Sequence, residues 1–252
     1  MNTPHEHSDK EALGLALRQH LDAVRSLRLA RASGATRDAH LRLKEWQSKR
    51  LATTYADLLA DKRHRPAAEF FLNELYGVKD FTGRDSEVAR MVPMLLSALP
   101  VRALVTLVEA IRMDALSESL DTDMVACLQK AGRSKPIDAI DPIDHVSYAA
   151  AYRACGRVED RKLQIALVGE IGHTLDRLTR MPMIGVSLSM MKKPAELAGL
   201  SNLQSFLHHG YQAFRTMKGA DYFLQTIQER ETLMMETILG TQKQGHSRNF
   251  QT

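Results

Sequence analysis

The residues with the strongest claim to chemistry are a Glu-x-x-His step and a pair of adjacent histidines. Glu170 and His173 stand three apart in GEIGH. On a helix that spacing puts carboxylate and imidazole on one face, the arrangement by which di-iron carboxylate bundles ligate metal. Such a site needs a second step of the same kind and two further inward glutamates, and one step is found. Metal ligation by Glu170 and His173 is therefore read as half a motif. His208 and His209 interrupt an otherwise apolar helical run, SFLHHGYQAF. An imidazole there can ligate haem iron as a cofactor-binding residue, or stay neutral and donate one hydrogen bond to a carbonyl. Gly210 beside them would let a flat ligand or another helix approach closely.

Other reactive types lack partners in the sequence. Tyr148 and Tyr152 lie one helical turn apart, and with Arg153 and Asp144 they could line a polar pocket or bury their rings and tie their hydroxyls to a neighbour. Cys127 and Cys155 sit in apolar helical patterns, and neither belongs to a signature with a His partner. Glu118, Asp121 and Asp123 do not have the spacing or the glycine of a calcium loop. Phosphate-binding loops, dinucleotide fingerprints, serine elbows and zinc patterns do not occur. The cofactor, if there is one, and the reaction stay open on this reading.

The elements that must hold these residues are helices. Apolar residues recur at spacings of three and four in Leu13, Leu17, Leu21, Val24 and Leu27, then in Leu43, Trp46, Tyr55 and Leu58. The two stripes predict an antiparallel hairpin, closed at Gly34, with Thr36 capping the second helix. Pro66 suits the first turn of a third helix. Thr82 and Asp85 form a capping pattern before a helix holding Val88, Val92, Leu95 and Leu99, with Pro93 inside it. A helix after Pro100 runs towards Leu128. Asp141-Pro142 opens another, and Gly156 ends it. Leu163, Leu167, Ile171, Leu175 and Leu178 mark a long helix, broken at Met181-Pro182. A Met-rich helix and two last helices, around Phe214 and Phe223, complete the pattern. No period-two strand run of useful length occurs, so the expectation is an all-α, multi-helix bundle of about nine to eleven helices with no sheet.

Composition sets the outer limits. The chain has 252 residues, 44% hydrophobic and 25% charged, which is enough for a proper core and argues against wholesale disorder. Two cysteines make a disulfide framework improbable and fit a reducing, cytoplasmic setting. The polar N-terminus and the short uncharged stretch from Met181 to Met191 predict neither a leader nor a membrane span. Residues 1–65 carry 13 Lys and Arg against 8 Asp and Glu, with Arg18, Arg25, Arg28 and Arg31 on one face of the first helix. That modest excess reads as a solvated face, so no specific nucleic-acid partner is expected. Residues 132–141, GRSKPIDAID, are the best linker candidate, between a helical half at 1–131 and another at 142–252, the two reading as one compact domain. The tail from Gln242 to Thr252 is polar.

FFLNELYG at 70–77 reads first as packing: Phe70, Phe71, Leu75 and Tyr76 cover a wide arc of one short helix, with Glu74 between them and Arg84 or Arg90 as candidate partners. This stretch, DFTGRD at 80–85, LSESLD at 116–121 and the run GLSNLQSFLHHGYQAFRTMKGADYFLQTIQERE at 199–231 resemble an uncharacterised bacterial family named for its FFLEELY motif. The chain departs from that motif at Asn73, where the family has Glu. The resemblance implies a fold and no established activity.

Missing catalytic signatures, many amphipathic helices and methionines at Met190, Met191, Met234 and Met235 favour a non-catalytic interaction or regulatory protein, with a protein partner or self-association. The alternative is a small-molecule, haem or metal-binding bundle with enzymatic activity.

Overall fold

The computed structural model describes residues 4–30, 34–75, 87, 89–93, 95–96, 99–131, 142–190 and 192–241. Among them are eleven bounded α-helices, one π-helical turn and further helical residues at 87, 89–93 and 95–96, and no strand occurs. The helices are α1 (Pro4–Ala30), α2 (Gly34–Thr54), α3 (Ala56–Ala60), α4 (Arg65–Phe70), α5 (Val101–Ala131), α6 (His145–Cys155), α7 (Val158–Thr179), α8 (Pro182–Met190), α9 (Lys192–Leu197), α10 (Ser201–Met217) and α11 (Asp221–Leu239); the π turn is Phe71–Leu75. The all-α reading holds. The capping pattern at Thr82 and Asp85, the linker at 132–141 and the tail from Gln242 lie outside the described residues, as do Tyr76, Gly77, Arg84 and Met191.

The organising element is α5, 31 residues long, because it is apolar on more than one side. Leu104 and Val108 on it meet Leu17 and Leu21 of α1, with Met91, Val92 and Leu95 closing the same cluster. Further along, Met124, Val125 and Leu128 meet Leu43 of α2, Tyr148 and Tyr152 of α6 and Met235 of α11. A third cluster joins Leu51, Tyr55 and Leu58 to Phe70, Leu167, Ile171, Phe214, Met217, Phe223 and Leu224. Ala195 and Leu200 join the first of these clusters, so all three cores draw side chains from both sides of residues 132–141.

Three local expectations change. α1 and α2 do not form a mutually packed hairpin: each lays its stripe on α5 instead, since that helix offers both of them an apolar wall. Thr36 is not a cap, because Gly34 is already helical and the Thr36 carbonyl accepts from His40 Nδ1 at 2.8 Å. The cap of α6 is Asp144 and not Asp141. Asp144 accepts from the Ser147 amide at 2.7 Å while Ser147 Oγ takes the Asp144 amide at 3.0 Å, a reciprocal capping box. Other ends match their signals. Pro66 sits in the first turn of α4, and Gly156 closes α6 in the left-handed region at φ 64°.

Candidate functional site

Glu170 and His173 occupy the outward side of α7. Glu170 is exposed, and His173, with 43% of its side chain open, stands beside Asp221 of α11 at 3.4 Å between Nδ1 and Oδ1. The reason lies in their neighbours. Gly169 and Gly172 take the inward face, where a Cβ would fall 2.1 Å from the Gln228 amide and 2.3 Å from Leu224. Two glycines one turn apart let α11 come against the α7 backbone, and that seam fixes which way Glu170 and His173 turn. Among the described residues no three His, Cys, Asp or Glu side chains gather as a metal site.

His208 is half-buried and His209 exposed. Gly210 receives the ring of Phe70: a Cβ there would meet Phe70 Cζ at 2.9 Å. Of the two uses open to this glycine, close approach by another helix is the one realised. The contact brings the FFLNEL segment and the histidine pair together. His209 shares a hollow of about 300 Å³, open to solvent, with Glu69, Phe70, Asn73, Glu74 and Gln212. Phe70 is buried beside Phe206, ring centroids 5.3 Å apart, and Phe71 is half-buried, edge-on to Phe223. Arg90, a candidate partner for Glu74, instead donates to the Gly199 carbonyl at 3.1 Å.

The charged residues of the interior form a network that spacing alone does not reveal. Arg28 leaves the supposed basic face of α1 and donates to both Asp114 oxygens at 3.0 Å and to Glu118 at 3.1 and 3.2 Å. Lys44 reaches the same Glu118 oxygen at 3.1 Å, and the Glu118 side chain is only 2% exposed. Asp121 accepts from Gln47 at 2.9 Å, and Asp123 pairs with Arg157. The acidic trio thus holds α1, α2 and the start of α7 to α5. Arg50 donates through both terminal nitrogens to Glu231 at 2.9 Å, and Tyr55 adds its hydroxyl to that carboxylate at 2.7 Å. Burial opposes the Arg50 charge, but the facing Glu231 carboxylate outweighs it and holds the guanidinium well above its ordinary pKa.

Beside that pair lies a hollow of about 630 Å³ between α2, α6 and α11. Its wall is Trp46 stacked on Tyr148, centroids 4.1 Å apart and planes 23° from parallel, with His145 edge-on at 5.4 Å. Leu233, Met234 and Ile238 face them, and Arg50 and Arg230 stand at the polar side. Tyr148 and Tyr152 bury their rings. Burial raises both phenols, Tyr152 to about 12, against the lowering effect of the Arg161 cation, which stands 4.6 Å over the Tyr152 ring. Asp144 caps its helix and Arg153 donates to the Ile238 carbonyl, so neither joins a polar pocket with these tyrosines.

The outer surface carries a different feature on α8, PMIGVSLSM, a helix without a charged residue. Met183, Val186 and Met190 are 73%, 57% and 74% exposed. At spacings of three and four they form one stripe on the side turned to solvent. Behind it, Gly185 lies under the Tyr211 ring. Leu197 on the following α9 is 90% exposed. Arg177 and Arg180 precede the stripe and Lys192 and Lys193 follow it, all exposed.

Compared with known families, residues 26–245 match the model described as "Domain of unknown function (DUF8198)". The chain belongs to the DUF8198 family. No curated protein and no solved structure matches it. The DUF8198 match takes in the buried ion network, both hollows and the α8 stripe, and it begins inside α1, two residues before Arg28. No described helix of this DUF8198 chain is long and apolar enough to cross a membrane.

Proposed function

We propose that the protein is a non-catalytic helical interaction protein, and that the α8 stripe receives a protein partner carrying an acidic amphipathic segment. The observation that carries this reading is the solvent-facing stripe of Met183, Val186 and Met190. Core-type residues on one face of a charge-free helix gain nothing from water, and a contiguous apolar patch of that kind marks an interaction surface. Methionine adapts its shape to what it meets. Arg177, Lys192 and Lys193 bracket the stripe, with Arg180 paired to Asp176. These cations favour a carboxylate-bearing partner over a second copy, since an isologous contact would set like charges face to face. The FFLNEL segment is read here as packing, Phe70 against Gly210 and Phe71 against Phe223.

Replacing Met183, Val186 and Met190 together with glutamine tests this reading. Thermal unfolding should stay within a degree or so of wild type, because exposed side chains contribute little to the fold, while partner binding is lost. A large fall in melting temperature would show that the stripe is core and would overturn the reading.

A second reading rests on the Trp46 hollow, whose stacked aromatic wall suits a flat, largely apolar ligand. Trp46 is the sole tryptophan of the chain. Haem or another planar ligand bound there would quench its emission with saturation, and unchanged emission across a panel of such ligands would remove this reading.

A further inference from the structure

Cys127, near the end of α5, and Cys155, the last residue of α6, are half-buried and reduced, and their sulfurs are 3.2 Å apart. The Cys155 thiol donates towards the Cys127 sulfur, and Met124 Sδ lies 3.6 Å from Cys155. We infer that Cys127 and Cys155 are a site of reversible oxidative modification, a dithiol that low-molecular-weight disulfides convert to an α5–α6 disulfide. This stands independently of the α8 interface.

The geometry is already close to what a disulfide demands. Two sulfurs in contact need to close by about 1 Å to bond, and the chain is built to allow it at one end. Cys155 is followed by Gly156 in the left-handed region, where a Cβ would meet nothing within 4 Å. The last turn of α6 therefore borders open space, which gives both backbone adjustment and access for a small reagent.

The contact also divides the roles. Cys127 accepts the S–H of Cys155, so a negative charge on Cys127 Sγ has a donor waiting, and Cys127 is the attacking sulfur. Burial and the hydrogen bond to Cys127 push the Cys155 thiol up to about 12, which keeps it protonated until it is needed. The Arg161 guanidinium is the opposing influence on Cys155, and Asp123 adds to the rise. Among the described residues Arg161 makes no ion pair; its charge is buried over the Tyr152 ring.

The exchange runs in two steps. Cys127 thiolate attacks one sulfur of the reagent disulfide, forming a mixed disulfide and expelling one thiolate. Cys155, having lost its proton, then attacks Cys127 Sγ, forming the Cys127–Cys155 bond and expelling the second thiolate. The two protein S–H protons end on the two reagent thiols. The protein gives up two electrons and the reagent disulfide takes them.

The test uses the full chain and glutathione disulfide, read by intact mass and by thiol alkylation. Wild type should become two hydrogens lighter with both thiols lost together, and its melting temperature should rise by several degrees, because the bond closes a loop across residues 127–155. Cys155→Ser should stop at one glutathione on Cys127. Cys127→Ser should react far more slowly at Cys155. A wild type that keeps both thiols, or that accumulates two glutathiones per chain, would overturn the inference. So would equal trapping rates in the two serine variants, since the assigned roles would then be wrong.

Discussion

Arg28 shows how much a single side chain can depend on what it faces. Its helix neighbours Arg18 and Arg25 are exposed, yet Arg28 is 10% exposed and shared between Asp114 and Glu118. Removing one member of a buried ion group strands the others, at a cost of about 3–5 kcal/mol. Arg28→Ala should therefore destabilise by about 3 kcal/mol or more, and Arg25→Ala by about 0.5 kcal/mol or less; urea unfolding of the two variants checks the contrast. Composition shows Arg28 as one of a basic row, and only the position of α5 makes it a buried partner. Asp57 gives a test in pH. Two hydrogen bonds from Arg230, each 2.7 Å, hold its carboxyl below the usual carboxylate range. A depressed folded pKa contributes stability that is present above the unfolded value and lost as pH falls through the folded one. Acid titration of stability should show this loss below the ordinary Asp range, and Asp57→Asn should flatten that limb of the curve.

Among elements, helix existence is legible because apolar spacing is strong, and helix ends are legible only where the signal is unique. Gly156 and Pro66 were unambiguous. Asp141 and Asp144 both precede α6, and the competition is decided by Ser147, whose hydroxyl completes a capping box with Asp144 alone. Asp144→Ala should cost about 1 kcal/mol, whereas Asp141→Ala should cost nothing measurable; equal losses would move the cap back to Asp141. Glu170 and His173 illustrate the other limit. A Glu-x-x-His step says that two side chains share a face, and only the neighbouring Gly169-x-x-Gly172 says which face goes inward. That second spacing was present in the sequence, and close approach to Leu224 and Gln228 is its physical meaning. Gly172→Leu should destabilise by about 1–3 kcal/mol through overpacking against Leu224, measured by thermal unfolding.

For the whole molecule, the all-α architecture follows from periodicity. Its assembly does not, because nothing in a stripe names the helix it will lie on. α1 and α2 both chose α5, and charged groups that look solvent-facing in the sequence became the ties between them. Among the apolar residues left outside is the α8 stripe, uncovered although it is made of residues that cores use. The most direct test is site-specific photo-crosslinking from position 183 or 186 in cells producing the full chain, with position 15, an isolated exposed leucine, as control. The expected result is one predominant adduct from positions 183 and 186, absent from position 15, whose crosslinked peptide sets Asp or Glu beside apolar residues. Adducts of equal kind and yield from all three positions, or adducts only with another copy of this chain, would contradict it.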